Sequence, residues 1–195
     1  MSSSWNLPCD PIVALREGDS GPFEAFVPLG MTSLTGYFRR KGAGPEEAED
    51  LSQEVLMKLI QNLDKYHPDG RFAAYVFRVG RNAWIDSRRR AGARPKWASL
   101  APSDGDGAQP EPLDPGDGPG SHAELRDEAH QVQLALGGLS EAHREVFELG
   151  VVQELGYAEV AATLGIPIGT VKSRMFHALR ALRSALGLPE EVPLD

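Results

Sequence analysis

The stretch from Gly156 to Arg183 reads Gly-Tyr-Ala-Glu-Val-Ala-Ala-Thr-Leu-Gly-Ile-Pro-Ile-Gly-Thr-Val-Lys-Ser-Arg-Met-Phe-His-Ala-Leu-Arg-Ala-Leu-Arg, and it leaves few folds open. From Thr170 onward, Val171, Met175, Ala178, Leu179, Leu182 and Leu186 recur at helical spacing and form one apolar stripe. At about 100° per residue, the opposite side carries Thr170, Ser173, His177 and Arg180, with Lys172, Arg174, Phe176 and Arg183 toward its flanks. No acid lies between Thr170 and Arg183. A helix that only covered a core would mix both signs on its wet face, so an acid-free face favours a polyanion partner over an ordinary helical hairpin. Upstream, Gly165 suits the left-handed end of a shorter helix, Pro167 prevents its continuation, and Gly169-Thr170 supplies a start with a capping hydroxyl. A short helix, a tight turn and a longer basic helix make a helix-turn-helix, which places its second helix in the DNA major groove.

The net charge of −8 runs against that reading until the charges are located. Acids crowd Glu46 to Glu54 and Asp104 to Asp117, whereas bases crowd Arg78 to Lys96 and Lys172 to Arg183. Local fields govern binding, and the net value speaks to solubility. Cys9 is the only cysteine, so an intramolecular disulfide and a cysteine-based zinc site are excluded. The histidines at 67, 122, 130, 143 and 177 include no pair at metal-ligand spacing on one helix face, and no metal or cofactor is expected. Met1 to Asp10 lacks the basic start and apolar run of a signal peptide, and no stretch is apolar enough to insert in a membrane, so a cytoplasmic chain is expected.

With 195 residues the chain holds one medium domain or two small ones. Between Ala93 and Ser121 the composition shifts to Pro, Gly, Asp, Ser and Ala, with no base between Lys96 and Arg126. Such a segment cannot bury enough apolar surface to offset its ordering entropy, which predicts a flexible acidic tether. The expected organisation is an N-terminal extension (1–20), a first helical domain (21–92), the linker (93–123), a helix-turn-helix domain (124–187) and a tail (188–195). The fold class is all-α, with two small helical domains.

The first domain reads as three helices. Phe23 to Lys41 carries Phe23, Phe26, Val27, Leu34 and Phe38 in a loose helical pattern, with Pro28 and Gly30 as unfavourable residues in its first turns. Pro45-Glu-Glu-Ala-Glu-Asp starts a second helix whose apolar face is Leu51, Val55, Leu56, Leu59, Ile60 and Leu63. After the turn His67-Pro-Asp-Gly-Arg, a third runs from about Phe72 to Arg90. There Arg71, Arg78, Arg81, Arg88, Arg89 and Arg90 surround Tyr75, Phe77, Asn82 and Trp84, a combination suited to unstacked single-stranded DNA, where rings accept base faces and arginines track the backbone. Trp84 is expected to lie at least partly in the core, and Phe77 is left open between core and stacking platform.

With both halves in view, the chain resembles the extracytoplasmic-function (ECF, group IV) sigma factors of bacterial RNA polymerase, outside the linker and the two ends. Ala48-Glu-Asp-Leu-Ser-Gln-Glu-Val-Leu56 is similar to region 2.2, which implies that Asp50, Leu51, Gln53 and Glu54 meet the clamp helices of the largest polymerase subunit. Phe72 to Arg90 is similar to regions 2.3 and 2.4, which melt and read the minus-10 element. The resemblance puts Arg71, Phe72, Tyr75, Arg78, Asn82, Arg88 and Arg89 there, with Asn82 and the Tyr66 to Phe72 loop where a flipped base is captured. Leu139-Ser-Glu-Ala-His-Arg-Glu-Val-Phe147 and the helix-turn-helix are similar to region 4. That region docks on the polymerase flap and reads the minus-35 element, here through Thr170, Lys172, Ser173, Arg174, Phe176, His177 and Arg180. Tyr75 stands where a tryptophan is usual, Phe77 where a tyrosine is usual, His177 for a frequent arginine, and Gly150 where an arginine often precedes the helix-turn-helix.

The resemblance implies core polymerase, promoter DNA and an anti-sigma factor as partners. No catalytic residue is expected, because no motif has nucleophile or metal logic. A free-standing helix-turn-helix regulator is the rival reading. The Arg- and aromatic-rich third helix together with Asp50 to Glu54 argues against it, since a repressor has no need of them. A nucleic-acid enzyme lacks any catalytic constellation.

Overall fold

A computed structural model of the chain describes residue 5, residues 7–92 and residues 131–188. The expected linker at 93–123 lies outside the described residues, as do residues 124–130 and all of the tail beyond Leu188. Among the described residues every regular element is helical. None of these helices is long and apolar enough to cross a membrane.

The first half is built from α1 (Pro11–Arg16), α2 (Gly21–Arg40), α3 (Pro45–Gln61) and α4 (Phe72–Arg90), with a short 3-10 turn at Leu63–Lys65. Asp10 starts α1 by accepting the backbone N–H of Ile12 at 3.0 Å. The helix expected over Phe23 to Lys41 is α2, and it runs unbroken through Pro28. Proline removes one backbone donor, and the apolar face of α2 outweighs that loss. Phe23, Phe26, Leu34, Tyr37 and Phe38 are all buried along it, and the Thr32 hydroxyl donates to the Pro28 carbonyl at 3.0 Å. The start of α3 follows its sequence, with Pro45 at the first position and Glu46 and Glu47 in the first turn, where acids oppose the helix dipole.

The N-terminal extension is part of this core. Trp5 stacks on Phe77 with ring centres 5.6 Å apart and meets Phe26 and Phe72 edge-on at 4.9 and 5.9 Å. Its indole N–H donates to Ser33 Oγ at 3.0 Å, which satisfies the one polar atom of an otherwise apolar plug.

The second half comprises a helical stretch at residues 131–137 (α5), α6 (Glu141–Phe147), a wide π turn at Glu148–Val152, α7 (Tyr157–Leu164) and α8 (Ile168–Ala185). Arg144 staples the connection from α5 to α6 by donating to the carbonyls of Leu136, Gly137 and Leu139 at 3.2, 2.9 and 3.2 Å. Ala135 and Leu139 pack against Ala178 and Leu182 of α8. Val146, Leu149, Leu155, Val160, Val171 and Met175 join one buried cluster with the core of the first half. The two halves are thus in direct contact, with the Thr163 hydroxyl of α7 donating to the Ala74 carbonyl of α4 at 3.2 Å.

Candidate nucleic-acid interface

The turn before α8 sets the aim of the helix. Gly165 has φ +67°, a left-handed conformation that side-chain-bearing residues adopt at a cost, and its N–H returns to the Ala161 carbonyl at 2.9 Å. Pro167 is the cap residue, and the N–H groups of Thr170 and Val171 bond to its carbonyl. The helix therefore starts at Ile168, three residues earlier than a Thr170 cap requires, and the Thr170 side chain does not cap it. Proline wins because its fixed φ and missing N–H suit the entry to a helix.

The expected stripe docks as read: Val171, Met175, Ala178 and Leu182 are buried, although Leu179 is 38% exposed. On the other side Lys172, Ser173, His177 and Arg180 are exposed, Phe176 is 53% exposed, and Thr170 and Arg174 are half-buried. An aromatic ring held in water on a basic helix is costly unless a partner covers it. His143 of α6, which sequence reasoning did not single out, stands beside this face with its ring centre 6.0 Å from that of His177. Burial lowers its pKa, and the neighbouring His177 and Arg174 lower it further. Gly150 has a packing reason, since a Cβ there would stand 2.5 Å from Met175 Cε under α8. A larger residue at that place must displace Met175.

On the first half, α4 presents Arg71, Arg78, Asn82 and Arg89 exposed and Tyr75 half-buried. The Arg78 guanidinium lies 5.4 Å from the centre of the Tyr75 ring. Phe77 is fully buried among Trp5 and Tyr37, which settles it as core, and Trp84 is buried with its ring covered by Arg88 at 4.1 Å. Arg88 also pairs with Glu47 of α3. Phe72 is buried as well, so its ring faces Trp5 and Phe26 and not solvent.

Beside Tyr75 a hollow of about 270 Å³ opens between Lys65, Tyr66, His67, Arg71 and Arg78, and Ala162 of α7 closes one side of it. Tyr66 is its fixed wall. The phenol donates to Asp10, the carbonyl accepts Arg16 Nη1 at 3.2 Å, and the ring stands 4.7 Å from that of Tyr75. Burial and the Asp10 carboxylate push the Tyr66 hydroxyl well above its ordinary pKa, so it remains a donor. Asp10 and Arg16 were invisible in the sequence, because only the folded chain brings α1 to this loop.

The acidic face of α3 is partly available. Asp50 and Gln53 are exposed, whereas Glu54 is half-buried, taking Lys58 Nζ at 2.7 Å and Arg90 Nη2 at 3.4 Å. The hydrogen bond from Lys58 holds the Glu54 carboxyl below its ordinary value. Leu51, at 4% exposure, points into the core and leaves the expected contact surface.

Comparison with known proteins bears on the family of the chain. A family model for Sigma-70 region 2 matches residues 31–94, and one for Sigma-70, region 4 matches residues 129–182. The ECF RNA polymerase sigma factor SigL of Mycobacterium tuberculosis is 33% identical over 151 residues, 77% of this chain and 80% of that one. The ECF RNA polymerase sigma factor RpoE of Cereibacter sphaeroides is 29% identical over 168 residues, 83% of this chain and 82% of the other. Among solved structures, CnrH in complex with the cytosolic domain of CnrY shares the fold with a TM-score of 0.63 at 24% identity, covering 91% of this chain and 97% of that one.

Proposed function

Because the chain belongs to the ECF sigma factors of the sigma-70 family, it is an alternative sigma factor that directs promoter-specific transcription initiation, and we propose how its surfaces divide that task. Sigma factors are non-enzymatic, and the polymerase supplies the chemistry. Within the family we assign the chain to group IV, acting in the cytoplasm where polymerase and promoters meet.

Asp50, Gln53 and Glu54 dock on the clamp helices of the largest subunit, and the second domain rests on the flap. The exposed face of α8 reads the minus-35 duplex: Ser173 and His177 face base edges, while Lys172, Arg174 and Arg180 hold phosphates. The hollow bounded by Tyr66, Tyr75 and Arg78, with Asn82 further along α4, receives an unstacked minus-10 base. One observation carries this division: a single chain presents an acid-free helix face suited to a duplex and, on another helix, a ring beside cations suited to separated bases. A free-standing regulator has no use for the second surface. An anti-sigma factor completes the partner set; the related fold of RpoE from Bartonella quintana is solved with the anti-sigma factor NepR.

The test is run-off transcription by purified core polymerase from a random promoter library, with and without the chain. Enrichment of templates that share two spaced elements only when the chain is present supports the reading. Binding to the same templates without core polymerase, and no transcript with it, contradicts it.

A further inference from the structure

The loop at the mouth of the hollow has little to hold it from within. Residues 67–71 are all exposed, and the bonds at this loop are local: Asp69 Oδ1 accepts the Arg71 N–H at 3.1 Å, and His67 Nδ1 meets the Lys65 carbonyl at 3.1 Å. Its two ends, by contrast, are buried rings, Tyr66 at 2% exposure and Phe72 at 9%. Both are held by the N-terminal extension. At one end Asp10 Oδ2 accepts the Tyr66 hydroxyl while Arg16 Nη1 donates to the Tyr66 carbonyl at 3.2 Å, so the two ends of α1 clasp a single residue. At the other, Trp5 meets the Phe72 ring edge-on at 5.9 Å. Ile12, fully buried in the core of the first half, fixes α1 between the clasping residues.

Asp10 has a use for each of its oxygens. Oδ1 caps α1 by accepting the N–H groups of Ile12 and Val13 at 3.0 and 3.4 Å, and Oδ2 reaches across 56 positions of sequence to Tyr66. Capping alone would be served as well by serine or asparagine. The second bond acts on the hollow. Telling one base from another requires donors and acceptors held to within a fraction of an ångström, and a loop supplies that only when surrounding contacts lock it. Attraction of the DNA backbone by Arg71 and Arg78 needs no such precision, because charge acts over a screening length of about 10 Å. Selectivity and affinity at this site therefore rest on different residues.

We propose that Asp10 and Arg16 are positioning residues that set the base selectivity of the minus-10 site: by clasping Tyr66 they hold residues 67–71 in the arrangement that distinguishes the unstacked base, and they touch no DNA themselves. The proposal rests on the reading of the hollow as the base-receiving site and adds the part of the chain that makes it selective.

The experiment uses the holoenzyme of core polymerase and the full chain. It measures fluorescence anisotropy of labelled minus-10 forks whose single-stranded non-template segment carries each of the four bases in turn at every position of the element. The readouts are the affinity ratio between the preferred and the least preferred base and the slope of log affinity against log salt, with helical content as the control. Asp10→Ser keeps a capping oxygen but is too short to reach Tyr66, and Arg16→Ala releases the Tyr66 carbonyl. Each should lower the ratio about tenfold at one position of the element, with the salt slope unchanged. Asp10→Asn, whose amide can cap with its oxygen and reach the Tyr66 oxygen with its Nδ2–H, should keep most of the ratio. Should Asp10→Ser lose helical content, Tyr66→Phe, which removes only the hydroxyl, makes the same test. Variants that weaken all four forks alike, or that leave the ratio at its wild-type value, overturn the proposal. So does a shallower salt slope for Arg16→Ala, the mark of a direct phosphate contact. A wild-type holoenzyme with no base preference anywhere in the element strikes instead at the base-receiving reading, so the two failures are distinguishable.

Discussion

Single residues separate readout from support. His177 is exposed on α8 and Arg174 is half-buried at its flank, so they make opposite predictions. His177→Ala should relax preference at one or two minus-35 positions, each worth about 1–3 kcal/mol of discrimination. Arg174→Ala should weaken all sites alike and flatten the salt dependence. Binding of a minus-35 library at two salt concentrations distinguishes them, and the reverse pattern means that the helix is turned otherwise. Tyr75 and Phe77 divide in the same way. Tyr75→Ala should lower open-complex formation on duplex promoters, with partial rescue on a premelted template. Phe77→Ala should instead cost about 3–5 kcal/mol of stability in a denaturant titration, because its ring is fully enclosed by Trp5 and Tyr37. Periodicity along α4 could not decide Phe77, because its neighbour Trp5 comes from a distant stretch with no pattern of its own. Leu51 and Phe72 teach the converse: family-like motifs contain core residues as well as contact residues, and sequence alone does not sort them.

At the level of elements, α4 was legible to its ends, Phe72 and Arg90, because a turn-forming His-Pro-Asp-Gly precedes it and its apolar positions keep helical spacing. The start of α8 lies three residues before the one a Thr170 cap requires, because threonine is a familiar cap and proline acted first. Gly165, read correctly as the left-handed joint, carries a sharp consequence. Gly165→Ala should cost about 1–2 kcal/mol, since an L side chain pays that to enter this backbone region, and thermal unfolding should register it. On α3 the exposed members of the acidic face are the informative ones. Asp50→Arg with Gln53→Arg should sharply weaken association with core polymerase at normal helical content, whereas reversing Glu54 also breaks its pairs with Lys58 and Arg90. Unchanged affinity in a competition assay for core polymerase removes this face from the interface.

Across the whole molecule, the segregation of charge in the sequence pointed to nucleic acid, but it did not disclose that part of the basic surface meets acids of the same chain. Arg40 and Glu148 are 108 positions apart, and no local pattern links them. The contact carries a pH dependence of definite sign. Burial alone would raise the Glu145 carboxyl, yet Lys41 and Arg81 outweigh it and hold the carboxyl below its ordinary value. The stabilisation is therefore complete above the ordinary carboxylate range and is lost as pH falls through the depressed folded value. Scattering profiles should show the free chain compact near neutrality and expanding only as pH falls below the ordinary carboxylate range, and a chain that opens on raising pH from neutrality contradicts this assignment. The central claim, that one chain supplies both minus-35 readout and minus-10 melting to polymerase, is tested most directly by permanganate reactivity of promoter thymines. With core polymerase and the wild-type chain, thymines should become reactive in a short tract at fixed spacing downstream of the minus-35 element. Tyr75→Ala and Asn82→Ala should each suppress that reactivity while minus-35 protection persists. A reactive tract that is unchanged in both variants, or none with the wild-type chain, would contradict the account.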